Sequence, residues 1–169
     1  RDGVYTTVDL GQQGIGDGKT APYFDGTNDY VNWYSAGLGG AFIGALGSVL
    51  LWVRVTDATV WPDGINRCAL HLGVDATNNF VRVLKPIGGL LQCTYMAGGA
   101  AKTKTLTTGT PTTWNHLAMT WSAAADELWG YWNGTPGAVV TGLGVWAGAL
   151  AAPFCDIGAQ KHLAVALPW

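Results

Sequence analysis

The acidic residues most suggestive of catalysis are Asp126 and Glu127, which stand side by side in the chain. Hydrolysis of a glycosidic bond normally requires two carboxyl groups about 5 to 9.5 Å apart, one acting as acid and the other as nucleophile or base. Glu127 is the single glutamate, and no second acid follows it within five residues. Because neighbouring side chains entering a strand diverge, we interpret this pair as part of a solvated turn.

Nucleophilic catalysis has as little support in the sequence. The serines lie outside any G-x-S-x-G elbow; they are Ser35, Ser48 and Ser122. His71 and His116 fall within predicted strands and have no identifiable catalytic partner, so we interpret both as structural histidines bonded to neighbours. The glycines at 14, 16 and 18 precede no predicted helix, so we do not interpret them as a phosphate loop. The sequence therefore predicts no catalytic residues and a protein that is not an enzyme.

Two tryptophans lie in loops whose composition suits ligand binding. Proteins bind sugars with aromatic faces that cover C–H patches, while polar groups satisfy the hydroxyls. The segment Thr59–Asn66 places Trp61 beside Asp63 and Asn66, and the segment Val145–Gly148 contains Trp146. We predict carbohydrate binding by Trp61, Asp63, Asn66 and Trp146. For Trp61 the alternative is packing at a protein interface, where tryptophan is also common.

The elements that position these residues have the composition of β-strands. Strand-like segments recur every eight to twelve residues between Gly, Pro, Asn or Asp, which is the spacing of an all-β sandwich or barrel. No long segment shows the 3.6-residue period of a helix. The predicted strands are Tyr5–Leu10, Pro22–Trp33, Val49–Val55, Ala69–Gly73, Phe80–Leu84, Leu90–Met96, Thr103–Thr107, Trp114–Trp121, Leu128–Trp132, Ala138–Thr141, Pro153–Ile157 and Leu163–Leu167.

Two of these strands indicate which side chains are buried. Ser48–Val55 is largely apolar on both faces, which predicts a central strand with Trp52 packed inside the protein. In Trp114–Trp121, one face holds Leu117, Met119 and Trp121 and is predicted to face the core. Trp114 and Trp132, which also lie in predicted strands, are predicted to pack in the core or between sheets.

The dipeptide Asn133-Gly134 is the strongest local turn signal. Asn-Gly supplies the two positive-φ residues of a type I′ turn, here between the predicted strands Leu128–Trp132 and Ala138–Thr141. Asn133, Gly134 and Thr135 also match the sequon for N-glycosylation. A tight turn explains the three residues fully, so we favour the structural interpretation.

Composition limits the classes of protein to consider. The length of 169 residues predicts one domain spanning 1–169. A net charge of −2 without a basic cluster argues against DNA or RNA as partners. Gly, Thr or Asp interrupts every apolar run before membrane-spanning length, so membrane insertion is not expected. The three cysteines, Cys68, Cys93 and Cys155, are predicted to be buried thiols, with one disulfide and a spare thiol as the alternative.

Five ordered motifs resemble the laminin-G-like branch of the concanavalin A-like lectin/glucanase superfamily. That branch typically has FDG-x-x-DYV, an apolar strand with a central Trp, W-x-H followed by apolar residues and Ala, a Tyr before x-NG, and IG. Here the motifs read FDGTNDYV, SVLLWVRV, TTWNHLAMTWS, ELWGYWNG and DIGA, and the resemblance covers nearly the whole chain. The resemblance implies an all-β fold, a two-sheet antiparallel jelly-roll sandwich.

The resemblance also implies which residues have structural, catalytic or calcium-binding roles. The first motif is interpreted as architectural, with Phe24 and Tyr30 facing inward, a positive φ at Gly26 and a carboxylate of Asp25 or Asp29 bonded to the turn. The paired glutamates of the glucanase members are absent. Calcium is possible by resemblance, near Asp75, Asn78 and Asn79 or near Asp25, Asn28 and Asp29, but neither cluster has enough hard oxygen ligands to predict a metal or cofactor. Only Gln160 and Lys161 separate Ala159 from the predicted last strand, fewer residues than the family usually has.

Similar domains are common on phage tails and capsid surfaces, and function resides in sites rather than folds. We expect a non-catalytic recognition or decoration domain on a virion or other extracellular surface, with a glycan or cell-surface polymer as partner. The alternative is a structural module that packs against neighbouring protein subunits, suggested by a charged fraction of only 12%.

Overall fold

The structure, a computed structural model, describes residues 3–109 and 111–159. These residues form β-strands with one short helix, α1 (Ala36–Ala41), and two 3-10 turns, Ala58–Val60 and Ala152–Phe154. The strands are β1 (Val4–Thr6), β2 (Asp9–Gln13), β3 (Thr20–Tyr23), β4 (Tyr30–Asn32), β5 (Leu46–Val53), β6 (Arg67–Gly73), β7 (Phe80–Lys85), β8 (Gln92–Ala97), β9 (Ala100–Thr105), β10 (Asn115–Ser122), β11 (Glu127–Trp132), β12 (Thr135–Pro136) and β13 (Cys155–Ile157).

Two antiparallel sheets make up most of the described chain. The larger sheet has seven strands in the order β1-β4-β13-β6-β7-β8-β9, and the smaller has four in the order β12-β11-β10-β5. Strands β2 and β3 form a separate hairpin. The predicted all-β, two-sheet antiparallel jelly-roll sandwich is therefore confirmed. No helix among the described residues is long and apolar enough to cross a membrane.

The core lies between the inner faces of the two sheets. Leu117 and Met119 of β10 are fully buried against Val81, Val83 and Tyr95 of the larger sheet, in one cluster of buried apolar side chains. Trp121 is buried beside them, and its indole Nε1 donates to the Gly44 carbonyl at 2.8 Å. The predicted inner face of this strand is confirmed, because its alternating apolar residues meet the opposite sheet.

The prediction of a central strand at Ser48–Val55 is wrong. In the described part of the chain, β5 pairs with β10 alone and forms an edge of the smaller sheet. Its inner face contributes Val49 to the core, while Leu50 and Trp52 on its outer face are 63% and 51% exposed. The apolar outer face is thus a surface feature, and the predicted burial of Trp52 is wrong as well.

The FDG motif forms the turn between β3 and β4. The Asp29 carboxylate accepts the Asp25 backbone N–H at 2.7 Å, and the Asp25 carboxylate accepts that of Thr27 at 2.7 Å. Gly26 has a φ of 86°. These bonds stabilise the bend from within, so the architectural interpretation of this motif agrees with the structure.

The Asn-Gly turn is present, but the strand that follows differs from the prediction. Asn133 and Gly134 have φ values of 50° and 79° and connect β11 directly to β12. The returning strand is Thr135–Pro136 rather than Ala138–Thr141, with only an isolated bridge between Leu128 and Val140 beyond it. The Asn133 side chain accepts the His116 N–H at 2.9 Å and donates to Asn115 Oδ1 at 2.9 Å. The side-chain amide therefore has a structural role in this turn.

The three cysteines are free thiols and are buried. The predicted strand Leu163–Leu167 and the short connection before it lie outside the described residues. The helix α1 was not predicted because its sequence, AGLGGA, is rich in glycine, which disfavours helices. Its first turn is instead stabilised by Ser35, whose hydroxyl accepts the Leu38 N–H.

Candidate functional site

The Trp61 loop, residues Trp61–Asn66, is a packed segment beside the core. Trp61 is only 3% exposed, and its indole Nε1 donates to the Pro111 carbonyl at 3.0 Å. Its backbone carbonyl lies 3.4 Å from Nζ of Lys85, a fully buried side chain. In this conformation Trp61 presents no ring face to solvent.

The polar residues of the Trp61 loop are bonded within the chain. Asp63 accepts hydrogen bonds from Lys85 Nζ at 2.7 Å and Arg67 Nη2 at 2.6 Å. Burial would raise the pKa of Asp63, but the bonds from Lys85, Ile65 and Arg67 outweigh burial and lower the pKa to about 2. Asn66 Oδ1 accepts the Ile87 N–H at 3.1 Å. These contacts fix the loop's conformation.

Trp146 lies elsewhere, against Phe42 and Tyr95. Its ring centroid is 5.5 Å from that of Phe42 and 5.9 Å from that of Tyr95, and its Nε1 donates to Gly148. Trp61, Asp63 and Asn66 thus lie together in one loop. Trp146 is not part of this loop and packs against Phe42 and Tyr95 instead. Carbohydrate binding by these four residues stays a prediction.

The residues considered for catalysis have structural contacts. The Asp126 carboxylate accepts the backbone N–H groups of Gly142 and Leu143, which lower its pKa. Glu127 Oε2 accepts the indole N–H of Trp129 at 3.1 Å. His71 is fully buried, with Nδ1 3.0 Å from the Phe154 carbonyl oxygen. Each of these groups is bonded to a neighbouring part of the protein.

The acidic clusters considered for calcium have similar contacts. Asp75 Oδ1 accepts the backbone N–H groups of Thr77 and Asn78, and Asn79 Oδ1 accepts those of Gly98 and Ala147. Within residues 3–109 and 111–159, no group of three or more His, Cys, Asp or Glu side chains is placed to hold a metal ion.

The most distinctive surface of the described chain is the outer face of the four-stranded sheet. Alternate residues of a strand point to the same side, so the register of β5, β10 and β11 assembles one continuous surface. We call it the aromatic face and define it by its large side chains: Leu46, Leu50, Trp52, His116, Trp129 and Tyr131.

On the aromatic face, β5 and β11 carry most of the large side chains, while β10 between them carries Ala118 and Thr120 beside His116. Leu50 lies opposite Ala118, which lies opposite Tyr131. In the next row, Ser48 lies opposite Thr120, which lies opposite Trp129. Two strand spacings, about 9 to 10 Å, separate the outer strands. The result is a shallow surface with Ser and Thr hydroxyls and an Ala methyl as its floor.

Ring contacts organise the aromatic face. The Trp52 and His116 rings have centroids 5.2 Å apart, and the stacked rings of Trp129 and Tyr131 have centroids 6.5 Å apart. The bond from the Trp129 indole to Glu127 fixes the orientation of that ring. Such a surface can cover apolar ligand faces while its hydroxyls and imidazole meet polar groups.

Sequence reasoning missed the aromatic face although the signal was present. The alternation in Trp114–Trp121 assigned His116, Ala118 and Thr120 to the face away from the core. An antiparallel neighbour of that strand must place its own outward residues beside them. Trp52 would have been recognised as one of these if β5 had been paired with β10.

One of the three comparisons with known proteins finds a match, and that match concerns the fold. No protein-family model matches the chain, and no curated protein sequence matches it. The solved structure of the mouse laminin alpha1 chain, domains LG4-5, superposes with a TM-score of 0.54 at 9% identity. The fold is laminin-G-like. The match covers 72% of this chain and 32% of that chain, so the likeness spans about a third of the laminin structure's length. At this identity the likeness concerns the laminin-G-like fold alone.

Proposed function

We propose that this laminin-G-like domain is a non-catalytic recognition module that binds a carbohydrate polymer through the aromatic face. The observation that carries the proposal is the exposed Trp52 ring, which lies on the same face of the sheet as Trp129 and Tyr131, beside the small residues Ala118 and Thr120. Aromatic side chains exposed to water lower solubility unless a partner covers them. An extended glycan fits this pattern because its sugar rings present apolar C–H faces.

The polar groups of the face suit a sugar better than an apolar ligand. Among the described residues, no group is hydrogen-bonded to the hydroxyls of Ser48 or Thr120, so both are available to a ligand. His116 adds an imidazole beside Trp52. A glycan needs such donors and acceptors, since each hydroxyl buried without a partner weakens binding.

We also propose where the domain acts. A domain of this kind acts on the outside of a cell or on a virion (phage) surface, as an attachment or decoration domain that meets cell-surface polymer. Support comes from the single domain predicted for 1–169, its low charge, and the absence of nucleic-acid signals in its composition. The carboxylates of Asp126 and Glu127 are bonded internally, which supports a binding rather than a hydrolytic role.

A second candidate function rests on the aliphatic part of the aromatic face. Leu46 and Leu50 are 62% and 63% exposed and lie on the edge strand next to Trp52. Aliphatic side chains offer nothing to sugar hydroxyls but are readily covered by another protein. The alternative is therefore a structural module that packs against neighbouring subunits of an assembly.

A glycan array followed by calorimetric titration of the best ligand tests the main proposal. We expect Trp52→Ala to weaken binding about tenfold, the effect of losing one ring contact. Tyr5→Ala is the matched control, since Tyr5 is also half-exposed but lies on β1 of the other sheet. Equal affinity of the Trp52→Ala variant and the wild type would reject the aromatic face as the glycan site.

Sedimentation velocity distinguishes the two candidates. If the face packs against subunits, the wild type forms oligomers at high concentration and Leu50→Lys abolishes them, with no glycan required. A monomer that binds glycan supports recognition. A monomer that binds no glycan on the array contradicts the proposed function.

A further inference from the structure

A crevice of about 410 Å³ opens between the edge of the larger sheet and the β11–β12 hairpin. One wall is the end of β9 and the segment after it, and the other is the hairpin. This volume falls within the range of small-molecule sites, about 300 to 1,000 Å³. The lining includes Lys104, Thr105, Thr107, Trp132, Thr135 and Gly137.

The stem of Lys104 lies in space that two glycines, Gly130 and Gly137, leave open. Its Cγ lies 3.0 Å from the position that a Cβ of Gly130 would take, and its Cε occupies the position of a Cβ at Gly137. The stem therefore packs against bare backbone, with the side chain partly buried. Among the described residues, no carboxylate lies within ion-pair distance of the Lys104 ammonium.

Lys102, two residues earlier on the same strand, provides a contrast. Its ammonium lies near Gly142, and its charge contributes to the lowered pKa of Asp126. Lys102 thus has an acidic residue of the protein nearby. Lys104, on the same side of β9, has no such acidic residue within ion-pair distance among residues 3–109 and 111–159, and its cation lies at the crevice.

Besides Lys104, the crevice is lined by the ring of Trp132 and the hydroxyl groups of three threonines. Trp132 is partly buried against the core, and in the described part of the chain no acceptor is bonded to its indole N–H. Thr105, Thr107 and Thr135 are exposed at the same opening. The crevice therefore combines one cation, one aromatic ring and several hydroxyl groups.

We propose that this crevice binds a single sugar unit that carries one anionic group, a carboxylate or a sulfate. Lys104 neutralises the anion, Trp132 covers an apolar face of the sugar ring, and the threonine hydroxyls bond to its hydroxyl groups. A single cation suits a singly charged sugar better than a polyanion, which needs a row of basic residues.

The crevice is separate from the aromatic face. Tyr131 and Trp132 are consecutive residues of β11, and consecutive side chains of a strand point to opposite faces. The two sites therefore lie on opposite sides of β11, and binding at one can fail while binding at the other holds.

Three probes of matched size test the crevice: glucuronate, glucose 6-sulfate and glucose. The readout is the amide and indole N–H spectrum of the labelled protein, in which Trp132→Phe assigns the Trp132 indole signal. We expect glucuronate or the sulfated sugar to shift that signal and glucose to bind at least tenfold more weakly. The stronger of the two acidic probes identifies the preferred anion. Affinity should fall as salt is added, because the contact is ionic.

Matched variants complete the test. Lys104→Gln is expected to reduce affinity for the acidic sugar about tenfold, while Lys102→Gln leaves it unchanged. Gly137→Ala should also weaken binding, because the added methyl displaces the Lys104 stem. Equal binding of glucose and both acidic sugars, no binding of any, an unchanged Lys104→Gln variant, or full competition by inorganic sulfate would each overturn the proposal.

Discussion

The ring of Phe24 packs directly on the backbone of Gly158, in the space that a Cβ of residue 158 would occupy. Phe24 begins the FDG motif and Gly158 ends the IG motif, so the structure joins two signatures far apart in sequence. Gly158 also has a φ of 83°, a conformation that side chains disfavour. Both constraints require glycine at this position.

Gly158→Ala is therefore expected to destabilise the protein by more than backbone strain alone. A left-handed conformation costs a residue with a Cβ about 1 to 2 kcal/mol, and the clash with Phe24 adds to this. Gly64→Ala is the control, because Gly64 has a φ of 70° but open space around it. Urea unfolding of both variants should show a clearly larger loss for Gly158→Ala; equal losses would contradict the role of the Phe24 contact.

The Asp63 ion pairs predict a loss of stability at low pH. Because the folded-state pKa of Asp63, about 2, lies below its unfolded value near 3.9, its contribution is present above pH 4 and is lost as the pH falls toward 2. At pH 7, Asp63→Asn should cost about 2 to 3 kcal/mol, since it leaves the buried Lys85 ammonium without a carboxylate. Thermal unfolding at pH 7, 4 and 2 measures this, with Asp17→Asn, in an exposed bend, as control. A difference from wild type that stayed constant down to pH 2 would refute the assignment.

The three thiols are expected to be inert in the folded protein. Burial raises the pKa of Cys68 and Cys93 to about 12 and that of Cys155 to about 11, so reactive thiolate is scarce at neutral pH. A thiol reagent such as DTNB should label none of the three at pH 8 in the native state and all three in guanidinium. Rapid labelling of one thiol without denaturant would show that the corresponding segment opens.

Asn133 is expected to matter for stability rather than for modification. Asn133→Ala removes the bonds to the His116 N–H and Asn115 and places alanine at a positive φ, which should cost about 1 to 3 kcal/mol. Thr135→Ala, which destroys the sequon but leaves the turn residues intact, should change stability by less than about 0.5 kcal/mol. Chemical denaturation compares the two variants. Similar losses in both would argue against the structural role of the Asn133 side chain.

The strand faces show how much of the fold the sequence could predict. Leu117, Met119 and Trp121 were assigned to the core from alternation alone, because side-chain direction in a strand is a local property. Trp52 was misplaced because its strand is apolar on both sides, and alternation does not reveal whether a second layer covers a face. That depends on which strands pair, a long-range property of the chain.

The Trp61 loop shows the same limit for binding sites. Its local composition, a tryptophan among polar residues, is that of an exposed binding loop. The residues that bury and bond it, Lys85 and Pro111, are distant in sequence. The crevice at Lys104 likewise depends on Gly130 of the other sheet and on Gly137, which follows β12. Spacing within a single segment contains no information about such contacts.

The position of β13 in the larger sheet has a consequence for how the protein is made. This strand, the last described one in the chain, lies between β4 and β6 and pairs with both. Because β13 is made last of these three strands, β4 and β6 have no strand between them during most of synthesis. The centre of the larger sheet can form only after residues 155–157 have left the ribosome. A chain that ends before these residues would leave the facing edges of β4 and β6 unpaired, and unpaired strand edges are prone to aggregation.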